Sequence, residues 1–317
     1  MKVLLTGATG FIGSQLARLA VSQGHSVTAI VRPGSDRRRI RAIEGRLHFI
    51  EQDLADLRAI EPQLAGERPD LCLHLAWRGW ANSQAAAEEN LTSLALSLEF
   101  MRVVAQLGCP RFVSAGTCLE YDPTLSLFSE TTPTPPHDLY GTSKRAFFDV
   151  AEQFSRLAKL EVVWTRLFYS YGPYQDRGRL VPAIVLGLLR GEPFATTAGE
   201  QVRDYLHVED VASAIWHVAQ SRFTGAVNIA SGTSITVREL ASEVGRLMGR
   251  LDLLRFGALP YREDEPMVIQ ADASLLRDRL GWSPHYNLET GIAATVAWWQ
   301  EAIAPEQRQA KGDDCGG

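Results

Sequence analysis

Several features that would narrow the class of this protein are missing from its sequence. Only four cysteines occur in 317 residues, and none has the CxxC spacing or the neighbouring histidines of a zinc site. We therefore expect neither a metal site nor a disulfide framework, and reduced thiols fit a cytoplasmic protein. No apolar run approaches the roughly 20 residues that span a bilayer, and the apolar N-terminus is typical of a strand rather than of a signal peptide.

An excess of positive charge is also missing. The formal net charge is -5 and the pI is near 5.9, which argues against a general binder of nucleic acid or of an anionic membrane. The one local exception is the basic cluster Arg37, Arg38, Arg39 and Arg41. With 45% hydrophobic and 22% charged residues, the chain has the composition of a soluble globular protein with a sizeable core.

What the chain does contain, at its start, is a strand, a glycine turn and a helix in succession. An apolar run at residues 2–6 breaks into Gly7, Gly10 and Gly13, and a helical pattern follows. Glycines in such a turn let the backbone approach a pyrophosphate closely, and the helix N-terminus supplies free N–H groups. The GxxGxxG spacing differs from the general GxGxxG fingerprint. Its place in a strand–helix–strand unit nevertheless favours cofactor binding over a plain tight turn.

The end of the second predicted strand, at residue 31, bears on which dinucleotide is bound. An acidic residue there would hydrogen-bond the ribose diol and select NAD. This chain has Arg32 instead, followed by Ser35 and the basic cluster. That arrangement suits a 2'-phosphate, so the sequence predicts a preference for NADP(H). The alternative is NAD(H), with Asp36 turned back to the ribose and the arginines on a solvated face.

Polar residues follow the next three strands at their carboxyl ends, where ligands bind in open α/β sheets. Asp53 could accept from the adenine amino group or could cap a helix. Residues 77–80 open a loop over the presumed cofactor, and His74 before them is interpreted as a hydrogen-bonded core histidine. Thr117 is placed to donate to a substrate oxygen. The remaining strands of the sheet are predicted at 47–50, 71–76, 111–115, 162–167 and 226–230.

Tyr140 and Lys144 form the pair around which the site is organised. A phenol titrates near pH 10 and is a poor acid–base catalyst at neutral pH unless a fixed cation favours the phenolate. The apolar periodicity of residues 139–157 predicts a helix, and residues four apart share a helix face. We therefore expect Lys144 to lower the pKa of Tyr140.

A surface loop rich in Thr, Pro and Ser is predicted at 123–137, just before this helix.

The alternation of strands and helices loosens in the second half. The helices there are predicted at 180–191, 209–219, 237–248 and 288–299. The domain organisation predicted from this pattern is a dinucleotide-binding domain at 1–170 with 206–232 returning to it, a substrate-binding lobe at 171–205 and 233–302, and a flexible tail at 303–317.

The GxxGxxG turn, Asp53, Asn90, Thr117, Tyr140-x-x-x-Lys144 and the run at 203–210 occur in order along residues 1–300. Together they resemble the extended short-chain dehydrogenase/reductase superfamily, in its NAD-dependent epimerase/dehydratase branch. The resemblance implies an α/β fold, a Rossmann doubly wound parallel sheet with a smaller, interleaved C-terminal substrate lobe. It also implies a homodimer and nucleotide-activated sugars as substrates.

The resemblance also assigns roles to residues. Tyr140 would be the general acid–base, Lys144 would hold the nicotinamide ribose and lower the pKa of Tyr140, and Thr117 would position the sugar oxygen. The implied cofactor contacts are Gly7, Thr9, Gly10, Phe11, Ile12, Gly13, Arg32, Ser35, Asp53, Leu54, Leu75, Ala76, Asn90, Tyr140, Lys144, Phe168 and Ser170. The implied substrate contacts are Trp77, Thr117, Leu180, Val181 and Arg203, with Arg262 at the pyrophosphate.

Departures from the family pattern select among its reactions. Sugar 4,6-dehydratases carry an acidic pair directly after the Thr, where this chain has Cys118 and Leu119, so dehydration is set aside unless Glu120 reaches the substrate. Epimerase-reductases that resemble GDP-fucose synthase place a Cys and a His where this chain has Leu119 and Tyr174, which disfavours C3/C5 epimerisation. The sugar 4-epimerases usually keep an acidic strand tip, which is missing here.

The sequence therefore predicts an NADPH-dependent reductase of a keto group, at C4 of a nucleotide-activated 4-keto-6-deoxyhexose. One alternative is an NAD(P)-dependent nucleotide-sugar 4-epimerase. Another, from a different class, is a catalytically silent, cofactor-binding regulatory protein. The intact Tyr140, Lys144 and Thr117 count against that last alternative, because no structural need requires all three.

Overall fold

A computed structural model of the protein describes residues 1–78, 84–263 and 265–313. Gly79 and Trp80 of the predicted loop over the cofactor, and the last four residues of the predicted tail, lie outside the described residues. The strands are β1 (Lys2–Thr6), β2 (Ser26–Val31), β3 (Leu47–Glu51), β4 (Leu71–His74), β5 (Arg111–Thr117), β6 (Leu127–Phe128), β7 (Glu161–Leu167), β8 (Tyr169–Tyr171), β9 (Phe194–Ala195), β10 (Val202–His207), β11 (Gly225–Ile229), β12 (Ser234–Thr236), β13 (Leu254–Arg255) and β14 (Val268–Ala271). The α-helices are α1 (Phe11–Ser22), α2 (Leu57–Leu64), α3 (Gln84–Gln106), α4 (Leu139–Ala158), α5 (Leu180–Arg190), α6 (Val208–Gln220), α7 (Val237–Leu247) and α8 (Leu288–Asp313).

Seven parallel strands form the main sheet, in the order β11-β7-β5-β4-β1-β2-β3. The order reverses beside β1, which is the doubly wound arrangement predicted from the sequence. Strands β4 and β5 are buried along their whole length, because helices cover both faces of such a sheet. One core contains α1 and α6, and the core on the opposite face contains α3 and α4. The carboxyl ends of β1, β4, β5 and β7 consequently meet at one edge.

His74, at the end of β4, is a core residue as the sequence analysis indicated. Its Nδ1 atom lies 2.8 Å from Thr6 Oγ1 and its Nε2 atom lies 2.9 Å from Ser97 Oγ. Burial lowers the pKa of His74 to about 3. The ring is therefore neutral in the folded protein throughout the neutral range.

Acid should destabilise the fold through His74. Its folded pKa lies below the unfolded value of about 6.5, so the stability it contributes is lost as pH falls from 6.5 towards 3. The expected loss at pH 5 is about 2 kcal/mol. Urea unfolding of the parent and of His74→Gln at pH 7 and pH 5 would measure it. The parent should lose more stability than the variant, and equal losses would contradict the assignment.

A smaller sheet combines β6, from the first half of the chain, with strands from the second half. It has the order β12-β10-β14-β6, with β8 beside β10, and α5, α7 and α8 share a core. The predicted surface loop at 123–137 needs correction, because it contains β6, and Phe128 is 2% exposed and stacked on Tyr121 at 4.9 Å. We propose that residues 171–205 and 233–302 form a substrate-binding lobe, interleaved with a dinucleotide-binding domain at 1–170 and 206–232.

The last helix extends further than predicted. The sequence pattern placed a helix at 288–299 and a tail from residue 303, whereas α8 runs from Leu288 to Asp313. In the described part of the chain, no helix has both the length and the apolar character needed to cross a membrane.

Candidate active site

A cleft of about 1060 Å³ runs between the carboxyl edge of the main sheet and the smaller sheet. Most of the predicted site residues meet there, although they are spread over more than 250 positions of sequence. The predicted residues that line the cleft are Gly7, Gly10, Phe11, Ile12, Gly13, Leu75, Trp77, Thr117, Tyr140, Lys144, Phe168, Ser170, Leu180, Val181, Arg203 and Arg262.

The glycine turn has the geometry of a dinucleotide cradle. Gly7 has a φ of +76°, and a Cβ atom at Gly13 would lie 2.1 Å from the Gly7 carbonyl oxygen. The turn therefore closes tightly against the first turn of α1. The N-cap residue of this helix is Gly10, which has no side chain to cap the amide groups. Amide groups at this helix N-terminus suit an anionic group.

A second observation supports a polar ligand in the same cleft. The Oε1 atom of Gln175 is buried and has no hydrogen-bond partner in the described part of the chain, while its Nε2 atom donates to Ser170 O at 2.7 Å. A buried amide oxygen without a partner costs about 1–3 kcal/mol. Because Gln175 lines the cleft, a ligand donor there would satisfy it. The residues present therefore fit a bound dinucleotide.

Tyr140, Lys144 and Thr117 converge on the centre of the cleft. Asp138 caps α4 by accepting from Gly141 N at 2.6 Å, which fixes the helix turn that carries Tyr140. Thr117 and Tyr140 both line the cleft, and Thr117 is close enough to influence the pKa of the phenol. Lys144 is 3% exposed and donates to Ala115 O at 2.7 Å. The helix thus places Tyr140 and Lys144 on one face, as the spacing of four predicted.

The pKa of Tyr140 differs from the sequence expectation. Burial raises it well above its ordinary value, and the charge of Glu120 adds to the effect. The Lys144 ammonium does not lie against the phenol, because it sits 3.9 Å from the centroid of the Trp77 ring and 6.0 Å from that of Tyr140. Burial also lowers the pKa of Lys144 to about 7. In this structure the surroundings of Tyr140 therefore favour the protonated phenol over the phenolate.

The residues that follow β2 are basic, as predicted, but Arg32 and Ser35 do not line the cleft. Arg32 is exposed and Ser35 N donates to its carbonyl oxygen at 3.1 Å. Asp36 pairs with Arg38 at 3.2 Å and does not line the cleft. Arg39, which was noted only as part of the basic cluster, does line the cleft.

Arg39 joins the glycine turn to the segment at residues 174–176. Its guanidinium donates to Thr9 O at 3.3 Å, to Tyr174 O at 3.0 Å and to Asp176 Oδ1 at 2.6 Å. The sequence signal was present in the basic cluster, but nothing in it distinguished Arg39 from its neighbours.

Seven predicted cofactor residues lie outside the lining of the cleft: Thr9, Arg32, Ser35, Asp53, Leu54, Ala76 and Asn90. Asp53 caps the following turn by accepting from Ala55 N, and it pairs with Arg78 at 2.5 Å. Of the two roles predicted for Asp53, an adenine contact and a helix cap, this structure has the cap. Asn90 is buried and accepts from Trp77 Nε1 at 2.8 Å. It therefore supports Trp77, which does line the cleft.

Arg203 lines the cleft but already has acceptors within the protein. Its Nη1 atom donates to Val202 O and Met267 O, and its Nη2 atom donates to Glu265 Oε1 at 2.8 Å and to Pro266 O at 2.5 Å. The guanidinium thus holds the 265–267 segment in place. Arg262 is exposed at the cleft wall, where the resemblance places a pyrophosphate contact.

Other residues in or beside the cleft were not assigned from the sequence. Those that line it include Arg39, Gln175, Arg179, Thr197, Gln201 and Tyr205. Glu120 and Arg166 lie behind it as a buried ion pair 2.9 Å long. One signal could have revealed this pair, because an arginine inside an apolar strand requires a buried anionic partner.

Comparison with known protein families identifies the chain. Residues 3–230 match the model of the NAD dependent epimerase/dehydratase family. The protein belongs to this family. It is thus an enzyme of the epimerase/dehydratase type, and the resemblance drawn from the sequence is confirmed. The family match spans the glycine turn, Thr117, Tyr140 and Lys144.

Individual relatives within and around the family perform different reactions. The dTDP-glucose 4,6-dehydratase of Xanthomonas campestris pv. campestris (strain B100) is 29% identical, over 93% of this chain and 92% of that protein. The UDP-glucose 4-epimerase of Thermotoga maritima, solved with UDP-glucose, has a TM-score of 0.86 at 26% identity and covers 96% of this chain and 100% of its own. The UDP-glucose 4-epimerase of Thermus thermophilus, solved with NAD, has a TM-score of 0.82 at 27% identity, with the same coverage of 96% and 100%.

Proposed function

We propose that this enzyme uses NADPH to reduce a keto group, at C4, of a nucleotide-activated 4-keto-6-deoxyhexose. Two observations carry the proposal. Tyr140, whose pKa burial raises, lines the cleft together with Thr117, and Thr117 is followed in the chain by Cys118 and Leu119 and not by an acidic pair. The related 4-epimerase and dehydratase are named for nucleotide-sugar substrates, UDP-glucose and dTDP-glucose. These names support a nucleotide-activated sugar as the substrate class.

The residues of this chain divide the work of reduction. When bound, the dinucleotide supplies the hydride that adds to the carbonyl carbon. Tyr140 gives its phenolic proton to the carbonyl oxygen as that oxygen becomes an alcohol, and Thr117 hydrogen-bonds the same oxygen. Lys144 lies on the same helix face, where its ammonium can hold the ribose next to the nicotinamide. The glycine turn and the amides of α1 would hold the pyrophosphate.

The two residues that directly follow Thr117 cannot serve as the acid–base pair of dehydration. Burial raises the pKa of the Cys118 thiol to about 12, and Leu119 has no proton to exchange. Glu120 does not line the cleft, since it is fully buried and its oxygens accept from Arg166, Trp164 and Thr117 N. The similarity to 4,6-dehydratases therefore does not extend to the residues that elimination would need.

The 4-epimerase remains the second candidate, because two of the related solved structures are 4-epimerases at TM-scores of 0.86 and 0.82. One assay separates the two functions. The enzyme is offered NADPH with a panel of nucleoside-diphosphate 4-keto-6-deoxyhexoses, and separately UDP-glucose, while cofactor absorbance and products are followed. Stoichiometric loss of NADPH supports reduction. Conversion of UDP-glucose to its 4-epimer without net cofactor consumption would establish the alternative.

The cofactor preference is part of the proposal, and Arg32 tests it. Arg32→Ala should weaken NADPH binding by about tenfold or more, the value of one charge-assisted hydrogen bond, and leave NADH binding nearly unchanged. Fluorescence titration with both dinucleotides measures this. Arg41→Ala is the matched control, because Arg41 is an exposed member of the same basic cluster. Equal weakening of both cofactors by Arg32→Ala would contradict the preference for NADPH.

A homodimer also belongs to the proposal. Helices α3 and α4 pack against each other and carry exposed apolar side chains at Leu91, Val150 and Leu157, which are 55%, 47% and 85% exposed. Apolar side chains of this size on adjacent helices favour a helical contact with a second copy.

A further inference from the structure

The Glu120–Arg166 ion pair lies directly behind the side chains that we assign to proton transfer. Glu120 is 0% exposed and Arg166 is 3% exposed. The carboxylate accepts from Arg166 Nε at 2.9 Å, from Trp164 Nε1 at 2.9 and 3.0 Å, and from Thr117 N at 2.8 Å. One buried carboxylate is thus bonded to the backbone of the residue that positions the substrate oxygen.

Close packing fixes this carboxylate relative to both β5 and α4. A Cβ atom at Gly116 would lie 2.2 Å from Trp164 Nε1 and 2.6 Å from Glu120 Oε1. A Cβ atom at Gly141, next to Tyr140, would lie 2.3 Å from Leu119 O. The turn at 118–120 therefore leaves no space on either side, and Glu120 cannot move without moving the end of β5 or the start of α4.

The charge of Glu120 reaches both members of the proton-donating pair. It raises the pKa of Tyr140 and it raises the pKa of Lys144 against the lowering effect of burial. Both effects keep a proton on the pair, as reduction requires. The other charged or titratable groups that face Glu120 are Arg166 on β7, and Cys118 and Tyr121 in its own turn. Glu130, in the 123–137 segment, interacts with Tyr121 and Arg166.

We propose that Glu120 is a positioning residue. Its carboxylate, bonded to Thr117 N in a turn packed between β5 and α4, holds Thr117 and the start of α4 in place, and its charge helps Tyr140 and Lys144 to retain the proton that ketone reduction consumes. The role in turnover rests on the proposed function, whereas the effect on Lys144 does not. Arg166 neutralises the carboxylate enough for it to be tolerated in the core.

Lysine labelling gives a readout that needs no substrate. The chain has four lysines, Lys2, Lys144, Lys159 and Lys311. In protein made with [ε-¹³C]lysine, the Lys144 signal is assigned with Lys144→Arg and titrated against pH. Glu120→Gln should lower the Lys144 midpoint by about one pH unit. The basic limb of kcat/KM for NADPH-dependent reduction should move to lower pH in the same variant, with KM for the sugar little changed.

Two further variants separate charge from structure. Asp204→Asn removes another fully buried carboxylate, which caps the turn at 231–232. It should lower stability and leave the Lys144 midpoint and the basic limb in place. The double variant Glu120→Gln/Arg166→Met replaces the ion pair at little cost in stability, so it serves if Glu120→Gln does not fold. It should shift the Lys144 midpoint downward as well.

The outcomes also distinguish this proposal from the proposed function. An unchanged Lys144 midpoint in the Glu120 variants, or an equal shift in Asp204→Asn, would overturn the positioning role whatever the enzyme reduces. A shifted midpoint in a parent protein that consumes no NADPH with any sugar ketone would overturn the reductase proposal and leave the effect of Glu120 on Lys144 in place.

Discussion

Tyr140→Phe should lower kcat/KM for ketone reduction by about 10² to 10⁴, the range for loss of a positioned general acid. Tyr140 lines the cleft together with Thr117, and neither of the two residues that directly follow Thr117 in the chain is acidic and able to replace it. The ring itself is retained, so NADPH affinity should change little. Stopped-flow measurement of NADPH oxidation and fluorescence titration of the cofactor would show the two results separately.

A matched control for this result is Tyr286→Phe. The Tyr286 hydroxyl donates to Glu209 at 3.0 Å, and Tyr286 is not among the residues that line the cleft. Its loss should leave kcat/KM near the parent value. Substantial NADPH-dependent reduction by Tyr140→Phe would show that another group supplies the proton, and the mechanism proposed above would then be wrong.

The raised pKa of Tyr140 bears on whether this residue donates a proton to the substrate or removes one from it. A phenol whose pKa is raised is a weak acid that stays protonated, so it is poorly suited to remove a proton from an alcohol. The same raised pKa poses no obstacle to donation, because the acceptor is an oxygen that becomes an alkoxide as hydride arrives. The raised pKa of Tyr140 is therefore compatible with the proton-donating role that the proposed reductase gives it.

Most of the main sheet could be predicted because its signals are local. The strand predicted at 26–31 is Ser26–Val31, and the helix predicted at 139–157 is Leu139–Ala158. Buried parallel strands are continuous apolar runs and α4 has a clear 3.6-residue period, so each is visible in a short window.

The smaller sheet could not be predicted in the same way. Strands β6 and β14 have two and four residues, which is too short for any periodicity. They form because Phe128 packs on Tyr121, and because Asn228 bonds the carbonyl oxygens of Phe128 and Asp272. The bond from Asn228 to Phe128 joins segments 100 residues apart, and only the folded chain shows it.

Site residues divide along the same line. Tyr140 and Lys144 have a fixed spacing on one helix, and so their proximity follows from the sequence. Arg203 shows the limit, because its position in the cleft was predicted while its bonds to residues 265–267 depend on a segment some 60 positions away. Glu120 and Arg166 are 46 positions apart in the chain. The only sign of their pairing in the sequence is the charge of Arg166 within the mostly apolar strand β7.

Gly13→Ala should affect both stability and cofactor binding strongly, and it is the second large effect that we expect. The added methyl group would start 2.1 Å from the Gly7 carbonyl oxygen and 2.8 Å from the Gly7 carbonyl carbon. Backbone atoms cannot rotate away as a side chain can, so the glycine turn must shift. Overpacking of this kind costs about 1–3 kcal/mol.

The displaced turn would no longer present its amides at the distance a pyrophosphate needs, and dinucleotide affinity should fall by at least about tenfold. Urea unfolding and cofactor titration measure the two effects. Gly45→Ala is the control, because nothing lies within 4 Å of its added Cβ atom and its φ is not positive; it should bind both dinucleotides as the parent does. If Gly13→Ala keeps full affinity at reduced stability, the turn serves only to pack α1 on the sheet, and the cofactor must be held by other residues, of which Arg39 is the best placed.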